Sequence, residues 1–196
     1  MPAVSSLLDE GKRGQRPGLG LGLNLGDHPV FQALPPPIQS KAQSQAVLTS
    51  IPPGEALAQD GFLTFVLSGV LGLFPSQGQI CVATIVAGSV HGWDHALQPQ
   101  SGRPQTRALI DTLACRTPAS IIVEGLGRNW LHCLVARQSA FRITGLVEEA
   151  ACNASHRVQA RLAKWLVRLH CGANGAPLGL TQADFHLIEI NEAFAS

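Results

Sequence analysis

Charge is what this sequence most clearly lacks. Asp, Glu, Lys and Arg make up only 14% of the 196 residues, whereas about 25% is usual for a soluble domain. A surface with so little charge is typical of an oligomer or of a protein with a covered face. The 14 Lys and Arg nearly balance the 13 Asp and Glu, which leaves a net charge of +1. Net charge therefore argues against a polyanionic partner, and any surface for nucleic acid would have to be local.

Long apolar runs and targeting signals are also missing. No run reaches the ~18 apolar residues that a membrane-spanning helix needs. The N-terminus lacks the basic-then-apolar order of a secretory signal. These absences predict a cytoplasmic protein with no membrane partner.

Metal-binding and catalytic motifs are absent as well. The five cysteines are odd in number, lie 18 to 34 residues apart and form no CxxC pair. This spacing argues against a disulfide framework and against a zinc knuckle. The adjacent pairs His132-Cys133 and His170-Cys171 are poorly spaced to ligate one metal. Without a GxSxG, HExxH or P-loop motif, we predict no metal, no cofactor and no enzymatic activity.

The chain does contain enough apolar residues, 45%, to bury a core. Residues 1–29 predict a flexible arm, because their GLGLGLNLG run has neither the spacing nor the preceding strand of a nucleotide loop. Residues 30–127 contain short apolar runs separated by Pro and Gly turns, which predicts a small β-barrel or jelly roll. The strand candidates are 62–67, 70–74, 80–86, 108–110 and 121–123.

Residues 128–153 have a helical composition and predict a dimerisation helix. A helix this apolar beside a small barrel would pair with a second copy, although packing on its own barrel is an open alternative. Glu148 and Glu149 are adjacent in this helix and so face different directions. The predicted dimer contacts are Phe141, Ile143, Leu146 and Val147.

Residues 154–196 begin with a helix predicted over 155–170, for which Ser155 is a good N-cap. One stripe of this helix is apolar and predicted to be buried: Val158, Leu162, Trp165 and Leu169. A second stripe is basic: Arg157, Arg161, Lys164 and Arg168. No acidic residue lies between Ala151 and Ala183. The basic stripe is either an ordinary solvated face or a surface that faces nucleic-acid phosphates.

Seven short segments together resemble the Crp/Fnr family of bacterial transcription regulators, over about three quarters of the chain. They are Ile51 to Glu55, Phe65 to Val70, Gly88 to Val90, Gly92 to Leu97, Arg103 to Ala108, Ala151 to Asn153 and Arg161 to Leu166. The resemblance implies an α+β fold, namely a cyclic-nucleotide-binding-like β jelly roll followed by a dimerisation helix and a helix-turn-helix domain. It also implies a homodimer that binds DNA, with the basic stripe and Gln182 on the phosphates.

The resemblance further implies an effector pocket, here degenerate, formed by Gly92, Asp94, Arg103 and Thr106. The family's Gly-Glu pair contacts a ribose and its Arg pairs with the cyclic phosphate. In this chain Trp93 replaces the Glu, Asp94 comes one position late and Pro104 replaces the small hydroxyl residue. We therefore expect an effector other than cyclic AMP, of unknown identity. An iron–sulfur sensor is not expected, because no cysteine precedes Cys81.

The C-terminus is predicted to hold an incomplete helix-turn-helix. Leu180 to Phe185 resembles the start of the family's first helix, with Thr181 and Asp184 as a capping box. Only twelve residues, Phe185 to Ser196, remain for the rest of the domain, which predicts a truncated domain. The last ~14 residues also resemble the Asn-Glu-Ala-Phe segment of thiolases, but no cysteine has the context of a thiolase nucleophile. The hypotheses are thus a truncated transcription regulator, a stand-alone sensory or interaction module, and a fusion fragment.

Overall fold

The computed structural model describes residues 24–58, 60–75, 81–93, 104–175 and 177–178. A short 3-10 helix, Leu25–Asp27, precedes two helices, α1 (Pro29–Gln32) and α2 (Pro36–Ser44). The strands are β1 (Val47–Ile51), β2 (Phe62–Ser68), β3 (Val70–Phe74), β4 (Ala83–Val86), β5 (Val90–His91), β6 (Gln105–Ala108) and β7 (Thr112–Pro118). Three helices follow: α3 (Ala119–Leu126), α4 (Arg128–Ser155) and α5 (Val158–Gly172).

The strands form two antiparallel sheets. The first has the order β1-β7-β2-β5 and the second has the order β4-β3-β6. Strand side chains alternate between the two faces of a sheet. Val66 and Ala114 of the first sheet therefore meet Leu71, Ile85 and Ala108 of the second in one buried cluster, which is the barrel interior.

A second core lies on the outer face of the first sheet. Alternate residues of β2, such as Leu63 and Phe65, face helices α1 to α3 and the first turns of α4. Phe31 of α1 lies edge-on to Phe65, with ring centroids 5.7 Å apart. Leu131 is the buried anchor of α4 in this core, so the long helix starts on the barrel and then leaves it.

Helix α5 returns to the barrel and covers the outer face of the second sheet. Trp165 and Leu169 pack with Val70 and Phe74, which confirms the predicted apolar stripe. The end of the helix is attached directly to the turn between β2 and β3, because the Gly69 amide donates to the Gly172 carbonyl at 2.6 Å. A Cβ on Gly172 would lie 3.0 Å from the Gly69 carbonyl oxygen and would also meet the Val70 side chain, so this contact needs glycine.

The structure departs from the predicted elements in several places. Residues 24–29 of the predicted arm are structured, and Leu25 is buried in the core. The strand predicted at 108–110 lies earlier, as β6, and the strand candidates did not include β1, β5 or β7. Prolines at the start of α2 begin a helix where a turn was predicted, because proline suits the first turn of a helix. The strand predicted at 121–123 is wrong, since those residues lie in α3. Ser155 is not an N-cap: it ends α4 and its hydroxyl donates to the Ala151 carbonyl, while α5 starts after Arg157.

Candidate functional site: barrel interior and the α4–α5 pair

Gly92, one of the residues predicted for the effector pocket, has a backbone conformation that requires glycine. Its φ is +102°, and a Cβ there would lie only 2.5 Å from the Phe62 carbonyl oxygen on β2. The next residue, Trp93, is buried. Its side chain packs in the outer core, in the same cluster as Phe31 and Phe65.

Thr106 is buried in the barrel interior, where it bonds to a histidine that the sequence analysis did not identify. Its Oγ1 lies 3.1 Å from Nε2 of His91, and both side chains are buried. His91 belongs to the first sheet and Thr106 to the second, so this hydrogen bond joins the two sheets across the interior. The available signal was the alternation of β5, in which Val90 faces the outer core and His91 therefore faces inward.

Two further polar residues extend this group, which we call the interior polar cluster (Thr64, His91, Thr106 and Arg116). Thr64 pairs across the sheet with His91 on one side and Arg116 on the other. Its hydroxyl is buried and has no hydrogen-bond partner among the described residues. The cluster therefore contains a polar atom that a small ligand would be able to satisfy.

The positive charge of the interior polar cluster is already neutralised. Arg116 Nη2 donates to Asp60 Oδ1 at 2.5 Å and to the Ala58 carbonyl at 3.0 Å. Its guanidinium also lies over the Phe62 ring, 5.0 Å from the centroid. Two of the predicted pocket residues, Asp94 and Arg103, lie outside the described residues.

The predicted dimer contacts lie on an exposed part of α4, beyond the turns that pack on the barrel. Ile143, Leu146 and Val147 are exposed by 60%, 44% and 63%, although all three are large and apolar. The helix carries Phe141 at the start of this stretch, but the side chain of that residue lies outside the described part of the chain. An apolar strip is thus open on one side of a 28-residue helix.

The predicted basic stripe of α5 faces α4, and an acid of α4 engages half of it. Lys164 Nζ lies 3.1 Å from Glu149 Oε2, and Arg168 Nη1 is paired with Glu149 Oε1. The Arg168 guanidinium also lies over the Trp165 ring, 5.4 Å from the centroid. Arg157 is exposed, while Nε of Arg161 is buried without a hydrogen-bond partner among the described residues. Gln182 lies outside the described residues.

Glu149 escaped the sequence analysis because it lies on a different helix from the basic stripe. The absence of acids between Ala151 and Ala183 is correct, but the partner comes from the preceding helix, 15 and 19 positions before the cations. Two helices joined by a short turn run back along each other, so α4 residues face α5. The signal for Glu149 was its distance along the chain from the cations, because two helices joined by a short turn bring such residues side by side.

The thiols and metal-binding side chains add no reactive site within the described residues. All five cysteines are free, and only Cys133 and Cys171 are exposed. Burial raises the pKa of Cys81 to about 12 and also raises the pKa of Cys115, so both stay protonated at neutral pH. Burial lowers the pKa of His28, which keeps that imidazole neutral. Within the described ranges, no three His, Cys, Asp or Glu side chains come together as a metal site.

No helix among the residues placed in the structure combines the length and apolar character needed to cross a membrane. Searches against family models and against curated proteins found no match.

Solved structures do resemble the chain. One is a transcriptional regulator of the Crp/Fnr family from Eubacterium rectale, with 13% identity over 85% of this chain and 83% of that one, and a TM-score of 0.62. Another is the cAMP-bound protein PfPKA-R, with 13% identity, a TM-score of 0.51, and coverage of 64% of this chain and 45% of that one. The chain thus spans less than half of PfPKA-R. The likeness confirms the predicted fold class: the chain is built on a cyclic-nucleotide-binding-like β jelly roll.

Proposed function

We propose that the chain is a dimeric transcription regulator of the Crp/Fnr type with an altered effector pocket. The observation that supports this most is the extent of the structural match. The jelly roll and its covering helices, through Leu126, make up little more than half of the chain. A match over 85% of the chain therefore has to include residues that follow Leu126, beyond the sensor domain. The proposal divides the chain as predicted, into an arm, a sensor barrel, a dimerisation helix over 128–153 and a DNA-binding segment after it.

Self-association is proposed through Phe141, Ile143, Leu146 and Val147. Covering exposed apolar side chains with a partner stabilises the complex by about 25 cal/mol for each Å² removed from water. A contiguous strip of this kind on a long helix is typical of a pairing surface. At 1.5 Å per residue the helix is long enough, at about 42 Å, to place two barrels side by side.

The effector is proposed to bind in the barrel interior, at the interior polar cluster and next to Gly92. The unpartnered Thr64 hydroxyl represents a desolvation cost of ~1–3 kcal/mol that a bound polar group would remove. The cluster offers hydroxyl and imidazole groups, while its guanidinium is paired with Asp60. These groups favour a small polar effector over a strongly anionic one.

DNA binding is proposed through the basic stripe of α5 and Gln182, which would contact backbone phosphates. Such contacts position a protein on DNA without distinguishing sequences. No catalytic role is assigned. A regulator of this kind acts where the DNA is, which agrees with the predicted cytoplasmic location.

A second candidate, a stand-alone sensory or interaction module, is favoured by one observation. Glu149 pairs with Lys164 and Arg168, so two of the four cations of the basic stripe are engaged within the chain. A module that does not bind DNA would have no use for these cations except to fix α5 against α4.

One experiment separates the candidates. The oligomeric state is measured by light scattering at tens of micromolar, and binding of the same sample to a fluorescent 25-base-pair duplex is measured at low salt. A dimer that binds the duplex supports the regulator. A dimer that does not bind it supports the module, and a monomer contradicts both dimeric interpretations.

A further inference from the structure

We infer that Glu149 is a built-in inhibitor of phosphate binding, which occupies Lys164 and Arg168 until a nucleic-acid phosphate displaces it. This inference rests on the proposed function, because it concerns the regulation of the same basic stripe. The inference also extends the proposed function, since it assigns a role to an acidic residue of the dimerisation helix.

The geometry is that of a carboxylate in a phosphate-binding position. Each oxygen of Glu149 accepts from a different cation, Oε2 from Lys164 and Oε1 from Arg168. Paired oxygens that accept from an ammonium and a guanidinium are also what a backbone phosphate presents. The Glu149 bridge, by which we mean Glu149 with Lys164 and Arg168, therefore competes directly with a phosphate for the same donors.

Partial burial makes this competition effective. The side chains of Glu149, Lys164 and Arg168 are 16%, 30% and 26% exposed, so the bridge is only partly screened by water. The Trp165 ring lies against the Arg168 guanidinium and limits where that side chain can go. A phosphate that binds Arg168 in this position therefore competes with Glu149 for the same guanidinium.

The bridge also couples two parts of the molecule. Glu149 is two residues beyond Val147, the last of the exposed apolar residues proposed to pair in the dimer. Lys164 and Arg168 lie on the helix that packs against the second sheet through Trp165 and Leu169. A rotation of α4 at the dimer contact would therefore move Glu149 relative to its cations, which gives the sensor a route to unmask them.

The test compares Glu149→Gln with Glu148→Gln. Glutamine keeps the shape of the side chain but removes its charge. Glu148 is the adjacent residue, is exposed, and has no ion pair among the described residues, so both variants raise the net charge by one. Far-ultraviolet circular dichroism and thermal unfolding of each variant establish that the helices remain folded.

The first measurement does not depend on DNA. Lys164 is acetylated with a limiting reagent and its modification is compared by mass spectrometry with that of Lys41, which is exposed in α2. We expect the ratio of Lys164 to Lys41 modification to rise several-fold in Glu149→Gln and to stay unchanged in Glu148→Gln. An unchanged ratio in Glu149→Gln would overturn the inference.

The second measurement is duplex affinity at 50 and 200 mM salt. Two additional phosphate contacts steepen the log–log salt dependence by about 1.8. Over a fourfold change in salt, Glu149→Gln should therefore lose about tenfold more affinity than the parent, and it should bind more tightly at 50 mM. Equal slopes for the two variants would overturn the inference and leave the regulator proposal intact. Failure of every variant to bind the duplex would overturn both.

Discussion

At Gly92 the absence of a side chain decides whether β5 can lie against β2. The φ of +102° is strained for any L-residue, and an added Cβ would meet the Phe62 carbonyl oxygen at 2.5 Å. Either effect alone costs about 1–3 kcal/mol. The same position opens the proposed effector pocket, so a residue required by the backbone is also one that shapes the site.

We predict that Gly92→Ala lowers the free energy of unfolding by about 2 kcal/mol or more, as measured by urea denaturation. Gly145→Ala is the matched control. Gly145 lies inside α4, and apart from its own helix backbone no described atom lies within 4 Å of the position that an alanine Cβ would take. Alanine there should raise stability by up to ~1 kcal/mol. Equal effects of the two substitutions would contradict this account of Gly92.

Cyclic AMP is predicted to bind poorly. Trp93 stands where the family has its Glu, and Pro104 stands where it has a small hydroxyl residue, so the ribose and the phosphate each lose a partner. Each lost polar partner costs ~1–3 kcal/mol. Calorimetry with cyclic AMP should show no heat, or a weak site at most. Micromolar binding that disappears in Arg103→Ala would mean that the family's pocket is functional here.

At the scale of elements, α4 has two halves with different surroundings. Its first turns are anchored by Leu131 in the outer core, whereas the part that carries Ile143, Leu146 and Val147 is open. Helix periodicity placed apolar residues on this helix correctly. It was not able to say which of them the barrel covers, because that depends on the direction in which α4 leaves the barrel.

Leu146→Asp is therefore predicted to disrupt dimerisation without unfolding the barrel. A carboxylate in an apolar helix interface is desolvated without a partner, which costs several kcal/mol. Light scattering should give the monomer mass for Leu146→Asp and the dimer mass for the parent. Asn129→Asp, which adds the same charge at the exposed start of α4, should remain a dimer. A monomeric parent at tens of micromolar would contradict the prediction.

At the scale of the whole molecule, α5 and the barrel form one packed unit. Trp165 and Leu169 share a buried cluster with the second sheet, and the Gly69–Gly172 hydrogen bond fixes the end of the helix. Lys164 and Arg168 of the basic stripe consequently face Glu149 of α4, while Arg157 is exposed. This arrangement bears on the strength of the proposed binding to DNA.

We predict weak, salt-sensitive DNA binding with little sequence preference. Four phosphate contacts would give a log–log salt slope no steeper than about −4 per chain, and a chain with two cations engaged by Glu149 should lie nearer to about −2. Titration of several unrelated duplexes at two salt concentrations measures both slope and preference. Nanomolar, sequence-selective binding at physiological salt would contradict this prediction and would place a base-contacting element within residues 181–196.

The sequence by itself determined the repeating local features of this protein. Short apolar runs between turn residues identified β2 and β3. Helical spacing identified α4 and the buried stripe of α5, because that pattern depends on the period of the backbone alone. Ordered short segments pointed to the jelly roll even though overall identity to the similar solved structures is only 13%. Local rules failed where two local interpretations compete, as at 121–123, whose apolar residues suit a strand as well as a helix.

Only the tertiary structure decided which distant side chains meet. His91 and Thr106 come together because the two sheets face each other, and no local pattern in β5 or β6 specifies that pairing. Glu149 meets Lys164 and Arg168 because α5 folds back along α4, so two of the four cations of the stripe share one carboxylate. Local periodicity sets the direction of a side chain on its own element, but its partner is set by how separate elements pack against each other.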